Sequence, residues 1–91
     1  MKKELDDIDF DILKNAVRLS PAACNKGARM REVYRPFLDK HCDSFLWQRI
    51  IVLADESYLN LERLPGRHVI VRPTKKTYKL MEHNGPKEGG A

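Results

Sequence analysis

The run over residues 58–73 constrains this chain most. "YLNLER" (58–63) alternates, with Leu59 and Leu61 on one face, and "RHVIVRP" (67–73) is rich in β-branched residues and bounded by Pro73. Between them lies Pro65-Gly66, the favoured central pair of a type II turn. The stretch therefore predicts an antiparallel hairpin. Val69 and Val71 would face one side, and His68, Ile70 and Arg72 the other. With 91 residues the chain has room for one small domain, so everything upstream must pack on that hairpin.

Upstream, three segments carry a helical period. In the first, Phe10, Leu13 and Val17 interleave with Ile12, Ala16 and Leu19, while Lys14, Asn15 and Arg18 fall opposite. Acids suit its first turn, and Asp6 or Asp9 can cap it. "SPAACNKG" ends it through Pro21 and turn residues. A second helix is expected over Ala28–His41, with Met30, Val33, Tyr34, Phe37 and Leu38 on one face and a kink or new start at Pro36. The third is "FLWQRIIVLADES", capped by Asp43 or Ser44 and reaching about Glu56. Its stripe is Leu46, Ile50 and Leu53, with Trp47 beside them in the core. Phe45, Ile51 and Val52 lie elsewhere, so this helix is apolar nearly all round. After the hairpin, Thr74 would cap a last short helix, "KKTYKLMEH". The domain is expected over 9–83, between a flexible lead-in at 1–8 and a disordered tail at 84–91.

The charge is unevenly spread. Net charge is +4, yet residues 1–11 carry −3 and residues 12–81 carry +8. The stretch "RLPGRHVIVRPTKK" (63–76) holds five Lys or Arg and no acid. A basic body favours an anionic partner, nucleic acid first, although many small basic domains have none.

Other functions find no support. "DIDFDI" lacks the Gly and Glu of an EF-hand loop: counting from Asp7, those positions hold Ile12 and Arg18. Cys24, His41 and Cys42 lack the paired spacing of a zinc site, so no metal or cofactor is expected. Both thiols read as reduced, Cys42 as half-buried, with nothing evident to lower either pKa. No serine sits in a nucleophile motif, and "GPKEGG" follows the last helix and does not precede one; the chain reads as a non-enzyme. "MKKELDDIDF" turns acidic where a secretory signal needs an apolar run, and no run is long enough to span a bilayer. An intracellular, nucleoid-associated location without membrane contact is expected.

Three helices, a hairpin and a short helix, in this order, resemble the winged helix-turn-helix superfamily, an α+β fold. "SFLWQRIIVLADESYLNLERLPGRHVIVRPTKKTYKLM" is similar to that family's third helix, wing strands and Gly-Arg wing tip. MarR-type regulators and the C-terminal domains of archaeal origin-recognition ATPases carry a similar run, and "REVYRPFLDKHC" looks like the second helix of the latter. The resemblance covers about residues 10–82.

It implies a protein that binds double-stranded DNA, a small transcriptional regulator. Its third helix would enter the major groove, and its wing would touch backbone or minor groove. Carried over, Ser44, Gln48 and Arg49 would read bases. Arg63, Arg67 and His68 would form the wing contact, and Arg72, Lys75 and Lys76 would hold phosphates nearby. Lys26, Arg29 and Arg31 would touch the backbone across the groove, helped by the amides starting the second helix.

Each residue also has a plainer reading. Arg29, Arg31 and Arg35 suit the wet face of an amphipathic helix. Arg49 could lie over Trp47 or pair with Asp55 or Glu56. His68 suits an ordinary strand. The surplus apolar residues of the third helix equally suit a protein-interaction module or a homodimer interface, which the terminal segments could also supply. Structured RNA fits less well, for want of an aromatic platform.

Overall fold

In the computed structural model, which describes residues 5–66 and 68–84, seven elements follow one another. They are α1 (Asp7–Leu19), β1 (Ala28–Arg29), α2 (Met30–Tyr34), α3 (Asp43–Asp55), β2 (Leu59–Leu64), β3 (His68–Pro73) and α4 (Lys75–Asn84). The hairpin forms with Leu59 opposite Pro73 and Leu64 opposite His68. Gly66 has φ +81°, as the third residue of a type II turn requires. Val71 and Leu59 are buried and Val69 and Leu61 pack on the core, while His68 is exposed, so the strand faces divide as the alternation predicts. Arg67 lies outside the described residues, as does most of the tail expected at 84–91. Asn84 closes α4.

Helix α1 starts where its acids allow. Asp6 is the N-cap, and its backbone N–H donates to Asp9 Oδ2 at 3.0 Å. The helix ends at Ser20, ahead of Pro21. Residues at three- and four-residue spacing, Ile12, Leu13 and Ala16, enter the core. Leu5 and Ile8 pack against it from the segment expected to be a lead-in.

The second helix is much shorter than its sequence pattern suggests. Residues 28–29 are a strand, α2 has five residues, and a 3₁₀ turn at Arg35–Phe37 finishes it. Pro36 is the cause: it has no N–H to donate to the Glu32 carbonyl four residues back. Asn15 of α1 supplies the missing donor. Its Nδ2 reaches Val33 O at 2.8 Å and Glu32 O at 3.4 Å, and its Oδ1 accepts Arg18 Nε at 3.0 Å.

Strand β1 completes a three-stranded antiparallel sheet of order β1-β3-β2, with Ala28 opposite Val71 and Arg29 opposite Ile70. Gly27 makes this pairing feasible. Its φ is +88°, and a Cβ there would fall inside contact distance of Ile70 and 2.9 Å from Arg72 Cγ.

Cys42, not Asp43 or Ser44, is the N-cap of α3. The far end closes in a Schellman arrangement. Ser57 takes φ +70°, Ser57 N–H donates to Ala54 O at 3.0 Å, and Tyr58 N–H donates to Leu53 O at 2.9 Å. Helix α4 hooks onto this corner. The hydroxyl of Thr74 donates to Ser57 O at 2.7 Å, and that of the buried Thr77 donates to Tyr58 O. Tyr78 ties α4 to the end of α1, donating to Ser20 O and accepting from Asn25 Nδ2 at 3.0 Å.

The core lies between the helices and the inner sheet face. Ile12, Leu13, Val33, Leu46, Ile50, Leu53, Leu59 and Val71 are buried there, and each large aliphatic side chain contributes ~1.5–3 kcal/mol. Among the described residues, no helix is long and apolar enough to cross a membrane.

Candidate nucleic-acid interface

Three surfaces enclose one cleft of about 370 Å³. Asp43 and Trp47 of α3 form one wall. Arg29, Arg31 and Tyr34 form a second, and Gly66, His68 and Val69 of the hairpin close the third side.

Helix α3 turns Leu46, Ile50 and Leu53 into the core. One residue further along a helix turns a side chain by about 100°, and that step takes Trp47 out of the core position expected for it. Trp47 is 38% exposed, as is Ile51. Ser44, Trp47, Gln48 and Ile51 stand at i, i+3, i+4 and i+7, so they share one outward stripe. Phe45, 37% exposed, lies round the helix from it and stacks on His41 at 5.1 Å between ring centroids.

The only cation of α3 is Arg49, and it faces inward. Its Nε and Nη2 donate to Asp9 Oδ1 and Oδ2 at 2.8 and 2.7 Å. Asp9 is fully buried, while a quarter of the Arg49 side chain is exposed. Neither Asp55 nor Glu56 is its partner. Hydrogen bonding to Asp9 raises the Arg49 pKa further. Withdrawing the guanidinium would strand a buried carboxylate, at a cost of ~3–5 kcal/mol. Arg49 therefore joins α1 to α3, and the base-reading role expected of it is not one its geometry serves.

The basic residues are gathered on the opposite wall. Arg29 and Arg31 are exposed, and among the described residues neither has a carboxylate within ion-pair distance. The cause is local. Arg29 sits on the short β1 strand beside Ile70, and Arg31 follows on the first turn of α2. His68 is exposed where β3 begins, across the cleft. Arg63, opposite Val69, and Lys26, in the loop before β1, are also exposed without ion partners among the described residues.

Three expected phosphate holders stand apart. Arg72 pairs with Glu62 on the outer sheet face. Lys76 donates to Glu56 O at 2.9 Å and lies over the Tyr58 ring at 4.2 Å, which satisfies the carbonyl end of α3. Lys75 is exposed at the start of α4, at the end of β3 away from the hairpin tip. With only five residues, α2 also offers a poorer helix terminus than the long second helix expected.

Tyr34 is buried in the cleft wall. Burial and then the neighbouring Asp43 carboxylate hold its hydroxyl above the ordinary phenol value. Cys42 is exposed, not half-buried, and the Ser44 hydroxyl 3.6 Å from its sulfur, with the Phe45 backbone, lowers its thiol pKa. Trp47, Tyr34 and Asp43 were legible as helix residues, but not as cleft walls. The i, i+3, i+4, i+7 spacing of Ser44, Trp47, Gln48 and Ile51 was the available signal. Among the described residues, no group of three or more His, Cys, Asp or Glu is placed to hold a metal ion.

No protein-family model matches the chain, and none of the curated proteins is similar to it. Among solved structures, the PcaV transcriptional regulator from Streptomyces coelicolor, in complex with its natural ligand, is similar at a TM-score of 0.68 and 20% sequence identity. The match covers 89% of this chain and 53% of that one, so this chain spans about half the length of PcaV. Three helices, the β1-β3-β2 sheet, a hairpin beside α3 and this likeness together give the chain the winged helix-turn-helix fold.

Proposed function

We propose that the protein binds double-stranded DNA as a small transcriptional regulator. Arg29, Arg31 and the hairpin residues Arg63, Arg67 and His68 would hold phosphates while α3 lies in the major groove. The observation that carries this reading is the basic edge: Arg29 and Arg31 are exposed and unpaired among the described residues, across a cleft from an exposed helix face. Cations placed this way beside a groove-sized helix suit a polyanion. The PcaV regulator, of like fold, is named for transcriptional control. A mobility-shift titration tests the reading. Duplex binding at low salt should weaken steeply as salt rises, through counterion release. Failure of any duplex to bind at low salt would refute it.

A second reading is favoured by one observation. Phe45, Trp47 and Ile51 are each 37–38% exposed on α3, more apolar surface than a base-reading helix needs. That suits a winged helix that docks on a protein, including a second copy of itself. Sedimentation of the pure protein distinguishes a self-associating chain from a monomer.

A further inference from the structure

Resting on the DNA reading, we infer that α3 favours A·T pairs, by Gln48 to adenine and by apolar contact of Ile51 with the thymine 5-methyl group, and that it lacks the Arg or Lys that usually reads guanine. The chemistry of the outward stripe carries this. Guanine presents two acceptors, N7 and O6, in the major groove, and the usual partner is Arg or Lys. Helix α3 has a single cation, Arg49, and both of its contacting nitrogens are held by the buried Asp9 carboxylate at 2.7–2.8 Å.

What remains on the stripe is an amide, a hydroxyl and two apolar side chains. Gln48 can donate to adenine N7 and accept from N6, the bidentate pairing of that base. Ile51 stands three residues after Gln48, on the same face of the helix, and keeps 38% exposure. A thymine methyl is the one apolar group a base edge offers in this groove. Asp43 is turned toward Tyr34, and Asp55 lies at the helix end away from the N-terminal turns that contact bases. Division of labour follows: the basic edge supplies sequence-independent grip, and α3 supplies a preference for A·T pairs.

The test has two parts. Selection from a random duplex pool should enrich sites with A·T steps and without a required guanine beneath α3. The selected site is then remade with uracil for thymine, which deletes the methyl groups and leaves pairing and phosphates unchanged. Wild type should bind the uracil duplex about fourfold more weakly for each contacted methyl. Ile51→Ala should bind both duplexes nearly alike, with its salt dependence unchanged. Equal wild-type affinity for the two duplexes, an enriched guanine whose loss abolishes preference, or no enrichment with duplex binding intact, would each overturn this inference alone. No binding to any duplex at low salt would overturn the DNA reading and this inference with it.

Discussion

Helix α3 and the basic edge beside it face each other across one cleft, yet their charged side chains meet different fates. On α3 the one cation is turned inward and locked to a fully buried carboxylate. On the edge, Arg29 and Arg31 stay exposed and, among the described residues, unpaired. The difference shows that a residue's chemistry does not decide its role. Arg49 sits on the helix where a base reader is expected and serves to join two helices. Arg29 sits on a two-residue strand and remains free to bind.

The largest effect is expected at the buried Asp9–Arg49 pair. Arg49→Ala should destabilise the fold by ~3–5 kcal/mol, measured by urea unfolding, because it strands the buried Asp9 carboxylate in the α1–α3 contact. Replacing both residues with apolar ones, Asp9→Leu with Arg49→Met, should recover most of that loss. If Arg49→Ala unfolds at the wild-type midpoint, the pair is not structural. The next largest effect falls on the other region. Gly27→Ala should cost ~2–4 kcal/mol, since it adds positive-φ strain and a clash with Ile70 where β1 is held to β3.

Smaller effects sharpen the contrast between buried and exposed charge. Glu62→Ala removes the partner of Arg72, but that pair lies on the outer sheet face with both side chains more than a third exposed. The loss should stay below ~1 kcal/mol and shrink with added salt. Freed Arg72 should leave duplex affinity unchanged or raise it slightly. Tyr34 supplies a pH-dependent check. Its folded-state pKa is raised above the ordinary 10.0 by burial and then by Asp43. The stabilisation is therefore complete below that ordinary value and is lost as pH rises through the folded-state pKa. Tyr34→Phe should flatten the alkaline limb of a stability–pH curve, and an unchanged limb would show that Tyr34 does not set it.

Much of the fold was legible in the sequence because its signals are local. The alternation around Leu59–Leu61 and Val69–Val71 and the Pro65-Gly66 bend define the hairpin within 16 residues. The stripes of α1 and α3 likewise need no distant partner. What could not be read depends on distant contacts. Strand β1 exists because Gly27 lets residues 28–29 pair with β3, more than 40 positions away. Helix α2 is cut short by Pro36, yet its ending is stable because Asn15 of α1 takes the freed carbonyls.

The candidate site divides in the same way. Arg29, Arg31 and His68 could be singled out by charge and position, and all three border the cleft. Arg49 could not be assigned, because its partner lies 40 residues earlier in the chain. Trp47 misleads for a related reason. It adjoins the core stripe in sequence but lies one helical step outside it.

Salt dependence of duplex binding, compared between wild type and Arg29→Ala/Arg31→Ala, reports whether these two side chains hold phosphates. Unfolding should show the double variant within ~0.5 kcal/mol of wild type, because both side chains are exposed and unpaired among the described residues. Its plot of log affinity against log salt should be shallower by about 2. Identical slopes for the two proteins would contradict the account, as would wild-type binding that salt does not weaken.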